Sequence, residues 1–254
     1  MTIPSALWRG LLAGVLAGLL LGLMQFLWVG PIILKAESFE SGGEAIGHEG
    51  HDHHHDHHHD HEHAAGWKRG ALTIFGGTAL GVALGLIASL LMYSFPQEGF
   101  RTRWGFGLLF GVCGFLAFHG IPSLGLPPPP PGVAGAEGDF EARRAWWMLA
   151  VGASSIGFLV LAWVPHQLRT RFQMKAMSSG LVAGVLAIGL FAVPFLRGVP
   201  EHASFTEVPD SLRHTFWFAS LGTSAVFWLV LGALTTALLS RVGRGKETLD
   251  PSTV

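Results

Sequence analysis

The chain has 254 residues, of which 50% are hydrophobic and only 13% charged, and its mean hydropathy is +0.44. Soluble domains carry about 25% charged residues, so this composition excludes an ordinary water-soluble fold and indicates a membrane protein. A net charge of −1 leaves no basic footprint for nucleic acid, and the single cysteine, Cys113, excludes an intrachain disulfide or a thiolate cluster within the chain.

A membrane crossing takes about 20 mostly apolar residues. In chain order such segments run over Leu7–Leu34, Ala71–Ser94, Trp104–Ile121, Ala145–Pro165, Met177–Leu196 and Thr215–Ser240, which predicts an all-α polytopic membrane protein of about six helices, residues 1–254 forming one transmembrane domain. The first segment is longer than the roughly 7–15 apolar residues of a signal peptide and is read as a helix. A proline closes each odd helix: Pro31, Pro122 and Pro194. The 35 glycines suit close packing between membrane helices.

The helices carry internal likenesses. Gly10-Leu11-Leu12-Ala13-Gly14-Val15-Leu16-Ala17 opens helix one, and Gly180-Leu181-Val182-Ala183-Gly184-Val185-Leu186-Ala187 opens helix five; Gly107-Leu108-Leu109-Phe110-Gly111-Val112 stands in helix three. Helices four and six share the pattern from Gly152 to Leu161 and from Gly222 to Leu231. These suggest three helical hairpins in parallel orientation, a known transporter plan; convergence of Gly/Ala/Leu-rich helices is the competing explanation.

With the N-terminus in the cytoplasm, nine of the sixteen Lys and Arg residues fall on the inner side, and fourteen of the seventeen carboxylates on the outer. Both termini are then cytoplasmic, with residues 241–254 an inner tail, and the connection between helices one and two faces outward. That connection, residues 41–66, is expected to be disordered: residues 48–63 hold ten histidines (His48, His51, His53, His54, His55, His57, His58, His59, His61 and His63) with Asp52, Asp56, Asp60, two glutamates and one glycine, and such a tract has nothing to bury. Imidazole and carboxylate donors suit Zn, Ni, Co and Cu(II). At an unperturbed pKa of about 6.5 most imidazoles are neutral near pH 7 and able to coordinate, and the interleaved acids concentrate cations. Many equivalent ligand sets without fixed geometry argue for collecting metal rather than selecting it. A pH sensor or an inert linker are the blander readings.

Selective ligands are sought among scarce polar groups in or beside the spans, where burial is costly unless used. Glu37 and Glu40 follow helix one three residues apart, on one face if the helix continues. His119 ends helix three, and His202 and His214 flank the last outward loop. All five are candidates for an outer-mouth metal site, and for each a surface cap or a satisfied histidine is the alternative. His166 stands on the inner side. Pro127 to Pro131 form a stiff outward run, and Trp146, Trp147 and Trp217 read as interfacial anchors. There is no G-x-x-x-x-G-K-[ST] phosphate loop, G-x-S-x-G elbow or H-E-x-x-H helix, so nothing points to an enzyme.

Four features together carry a family resemblance: Gln25 leading into Pro31-Ile32-Ile33-Leu34-Lys35-Ala36-Glu37-Ser38-Phe39-Glu40, the histidine-rich segment after it, Gly125-Leu126-Pro127-Pro128, and Ala142-Arg143-Arg144-Ala145-Trp146-Trp147. In these the chain resembles the CbtA family of bacterial cobalt-uptake membrane proteins over nearly its whole length. The five prolines and the density of the histidine tract depart from the family pattern. The resemblance implies uptake of Co²⁺ across a bacterial inner membrane for cobalamin synthesis, with a small single-helix partner bearing its own histidine-rich tail; it implies no prosthetic group. Nothing in the composition separates Co²⁺ from Ni²⁺ or Zn²⁺. The expected function is a permease subunit in lipid, and the alternative is a non-conducting accessory or sensor protein that hands metal to another permease.

Overall fold

Long runs of Leu, Ala, Val and Gly without interior charge leave the backbone one way to satisfy its own polar groups in lipid, the helix. The computed structural model describes residues 2–44, 59–94, 104–128, 137–200 and 208–247, and side chains for 2–39, 67–94, 104–128, 140–200 and 208–240. Among the described residues all regular structure is helical: α1 (Ile3–Met24), a π-turn (Gln25–Val29), α2 (Gly30–Glu44), α3 (His59–Ser94), α4 (Trp104–Phe115), a second π-turn (Leu116–Gly120), α5 (Ile121–Gly125), α6 (Glu137–Phe172), α7 (Ala176–Leu196) and α8 (Asp210–Glu247).

These build six segments long and apolar enough to cross a bilayer: Ile3–Phe39, Trp67–Ser94, Trp104–Gly125, Phe140–Phe172, Ala176–Leu196 and Asp210–Ser240. Several outrun the apolar stretches that define them. The first has 37 residues, about 55 Å at 1.5 Å per residue, against a hydrocarbon core of about 30 Å. Leu72, Leu181 and Leu196 are more than 60% exposed, a surface that lipid covers and water would not tolerate in such number. Many leucines and valines thus face outward, and on α1 and α7 most buried positions fall to small residues such as Ala13, Ala17, Ala183 and Ala187.

The prolines do not close the odd helices as expected. Proline has no N–H and its ring crowds the carbonyl four residues back. Ahead of Pro31 the backbone widens into a π-turn, where the Gly30 N–H bonds the Gln25 carbonyl five residues back, and the helix then continues to Glu44. The same device precedes Pro122, with the Ile121 N–H on the Leu116 carbonyl and a last turn to Gly125. Pro194 lies inside α7, which ends at Leu196; Gly198 beyond it takes φ +93°, the left-handed conformation that glycine adopts without strain.

The chain forms two units, Met1–Val112 with Phe218–Val254, and Cys113–Trp217. In the first, α1 and α3 pack along a glycine seam. Gly10, Gly14, Gly18 and Gly22 recur every fourth residue on α1, and Gly77, Gly81 and Gly85 do so on α3. A Cβ on Gly14 would lie 2.3 Å from the Gly81 carbonyl oxygen, and one on Gly81 would lie 2.4 Å from that of Gly14. Only hydrogen fits there, so the backbones touch and gain dispersion along the whole pair. α4 meets α8 in the same way: a Cβ on Gly107 would come within 2.6 Å of the Gly232 carbonyl oxygen. Ala6, Met92 and Leu239 are buried together with Phe106 and Phe110 against them, the Thr236 hydroxyl lies 3.6 Å from Met92 Sδ, and the Arg9 guanidinium donates to the Leu238 carbonyl.

In the second unit α6 packs against α7, α5 and the Leu116–Gly120 turn. Trp146, read as an interfacial anchor, is instead buried: its Nε1–H donates to the Pro194 carbonyl at 2.9 Å, its ring meets Phe195 edge-on, and it fills the space that the missing Cβ of Gly125 leaves open. Trp147 beside it is exposed. Helix five, whose opening matches that of helix one, is placed differently, since a Cβ on Gly180 or Gly184 would meet no atom within 4 Å.

Candidate metal-handling site

The glycine seam fixes where the histidine tract is attached. α2 reaches Glu44 and α3 begins at His59, so both arms of the first hairpin run as helix toward the tract. Residues 45–58, with His48, His51, Asp52, His53, His54, His55, Asp56, His57 and His58, lie outside the described residues. His59, Asp60, His61 and His63 belong to the helical start of α3, their side chains outside the description. The region read as a loop is therefore helical at both ends, because each arm continues the turn begun in the membrane.

Just below the tract, the Arg69 guanidinium grips the Glu37 carboxylate with both terminal nitrogens, one contact being 3.1 Å. Side chains on a helix lean toward its own N-terminus. Glu37 on α2 therefore leans back toward the membrane and Arg69 on α3 leans outward, and the two meet. As a metal ligand Glu37 thus has a resident cation to displace. Its side chain is 34% exposed and that of Arg69 56%, so the pair is worth about 0–1 kcal/mol after solvent screening. α2 does continue through Glu40, whose side chain is not described.

His119 sits within the second π-turn, a turn short of the helix end. Its Nδ1 is buried with no hydrogen-bond partner, and its ring stacks on Phe115 at 6.3 Å between centroids. The neighbouring helix α6 buries a second group of this kind, the Ser154 hydroxyl, fully enclosed and without a partner. His214 is exposed in the first turns of α8, His166 is exposed on α6, and His202 lies outside the described residues. Among the described residues no three His, Cys, Asp or Glu side chains gather to hold a metal ion.

Sequence reasoning singled out Glu37 and His119 as candidates, but not the Arg69 pairing, Ser154 or either π-turn. A signal existed for the turns: Pro31 and Pro122 each stand in an apolar run that continues past them. None existed for Arg69, whose pairing depends on how the two arms are set side by side.

Six membrane-length helices among the described residues, lipid-facing leucines and glycine seams define a polytopic membrane protein. The chain belongs to the family described as probable cobalt transporter subunit (CbtA), whose model matches residues 3–240. No curated protein and no solved structure matches it.

Proposed function

We propose that the protein is the membrane-embedded component of a divalent transition-metal uptake system of the bacterial inner membrane, with Co²⁺ as its cargo. The N- and C-termini are cytoplasmic and the tract between the first two spans lies outside. Ten imidazoles and their interleaved carboxylates collect the ion there, and the spans carry it inward, with a small partner subunit where the system includes one. The observation that carries this reading is the placement of the tract: it joins the two arms of the hairpin in a chain of a cobalt-transporter family. The Gly-rich helices supply close backbone packing, and sites that bind weakly enough to release their ion are what conduction needs.

A second reading rests on the spans themselves. Between Trp104 and Gly125 and between Ala176 and Leu196 there is no Asp, Glu, Lys or Arg, a composition sparse for a pump and suited to an accessory protein that passes metal to another permease. Uptake of radioactive cobalt, nickel and zinc by cells producing the protein separates the two. Cobalt accumulation above that of control cells supports the permease; failure to accumulate any of the three metals, with a partner supplied, favours the accessory.

A further inference from the structure

Two polar atoms of the second unit are buried in a membrane segment with nothing to bind, and elementary geometry puts them at one depth. Leu126, just past α5, packs on Trp146 and Ala150 of α6. From that contact the chain runs inward on both helices. At about 1.5 Å per residue, His119 lies about 10 Å in from Leu126 along one helix, and Ser154 about 9 Å in along the other, counted from the level midway between Trp146 and Ala150. Ser154 stands one turn below Ala150, on the same stripe of α6, and α6 packs on the π-turn that carries His119.

The π-turn supplies a third donor. In a helix the Ala117 carbonyl takes its hydrogen bond from residue 121 or, in a π-turn, from residue 122. Here the Ile121 N–H bonds Leu116 instead, and Pro122 has no N–H. An imidazole nitrogen and a hydroxyl are thus left without partners on two packed helices, and beside them the Ala117 carbonyl loses the partner that Pro122 would have supplied in the π-turn. An orphaned polar group in hydrocarbon is costly, and such groups within membrane segments mark ligand and ion pathways. π-turns interrupt helices most often at functional sites.

Resting on the proposed function, we infer that His119 and Ser154 form an intramembrane coordination step for the divalent transition-metal ion, with His119 Nδ1 as the principal ligand. Imidazole nitrogen is the borderline donor that late first-row divalent ions favour, and the hydroxyl and carbonyl oxygens with water complete a shell. No carboxylate takes part, which keeps the ion loosely held, as a transit site requires. The step differs in kind from the tract: few ligands at fixed positions instead of many at none.

The test uses the full chain with its ten tract histidines replaced by asparagine, in detergent, with Cys113→Ser in addition. Titration with CoCl₂ is followed by the d–d absorption of bound Co²⁺. The site predicts saturable binding that falls at least tenfold in affinity in His119→Ala and several-fold in Ser154→Ala. In His119→Cys it predicts a new thiolate-to-cobalt charge-transfer band, which a merely structural role for the residue would not produce. In cells carrying the intact tract, His119→Ala lowers maximal cobalt uptake at least tenfold. The inference is overturned if His119→Ala binds as tightly as its parent, or if His119→Cys folds and takes up Co²⁺ without thiolate absorption. Should the parent chain show no uptake in cells, the proposed function fails, while the titration still decides the site.

Discussion

The glycine seam between α1 and α3 gives the sharpest prediction about what holds the protein together. In Gly81→Ala the new Cβ would lie 2.4 Å from the Gly14 carbonyl oxygen and 2.5 Å from Gly18 Cα, both backbone atoms that no rotamer change can move. Ordinary contact begins near 3.4 Å, so the helices must part by about 1 Å. A gap of about 0.5–1 Å forfeits a quarter to a half of the dispersion well at every facing pair. Overpacking of this kind costs about 1–3 kcal/mol. Gly76 is the control: it stands on the same helix, and a Cβ there meets nothing within 4 Å. Both substitutions gain the same helix propensity, so their difference isolates the seam. Thermal unfolding of the purified protein, followed by tryptophan fluorescence, should show Gly81→Ala melting about 2–12 °C below Gly76→Ala, at roughly 2–4 °C per kcal/mol for a chain of this size. Equal midpoints for the two would refute the close-packed seam.

Other outcomes follow from particular contacts. Trp146→Phe loses both the bond to the Pro194 carbonyl and the outer indole ring atoms that lie against Gly125. In the same melt it should cost more than the hydrogen bond alone, which is worth about 0.5–1.5 kcal/mol, whereas Trp147→Phe, on the exposed side, should change it by less. Arg69→Gln should leave stability within about 1 kcal/mol of the parent and free the Glu37 carboxylate, lowering the metal concentration for half-maximal cobalt uptake; an unchanged or raised half-saturation point would remove Glu37 from the path. Protonated imidazole does not coordinate, so cobalt bound to the purified protein at equilibrium dialysis should drop steeply as pH falls through about 6.5, and retention of the full complement at pH 5 would show that carboxylates hold the metal.

The spans were legible because crossing a bilayer is a matter of length and polarity, and apolar runs of the required length occur six times. Their ends were not. Composition marks where lipid stops, but a helix continues for as long as its next turn is favourable, so α2 runs on to Glu44 and α3 starts at His59. Pro31 and Pro122 read as terminators on propensity, and that reading failed because a π-turn shifts the hydrogen-bond register ahead of each; the shift lies in the backbone and leaves only the proline as its trace. Trp146 looked interfacial through its neighbours Arg143 and Arg144, and its burial is decided by Gly125, a residue on another helix. On the functional side the tract stood out by density alone. His119 was visible as a rare polar residue, but Ser154 was one of several small hydroxyl residues in the spans, and only packing shows that its oxygen has no partner.

Uptake as proposed turns on an external trap of imidazoles feeding passage through the spans. Initial rates of cobalt uptake should therefore be measured across a range of cobalt concentrations, in cells producing either the parent chain or the chain with its ten tract histidines replaced by asparagine. Loss of the trap should raise the half-saturation concentration severalfold while the maximal rate is retained. Superimposable curves for the two chains would contradict it.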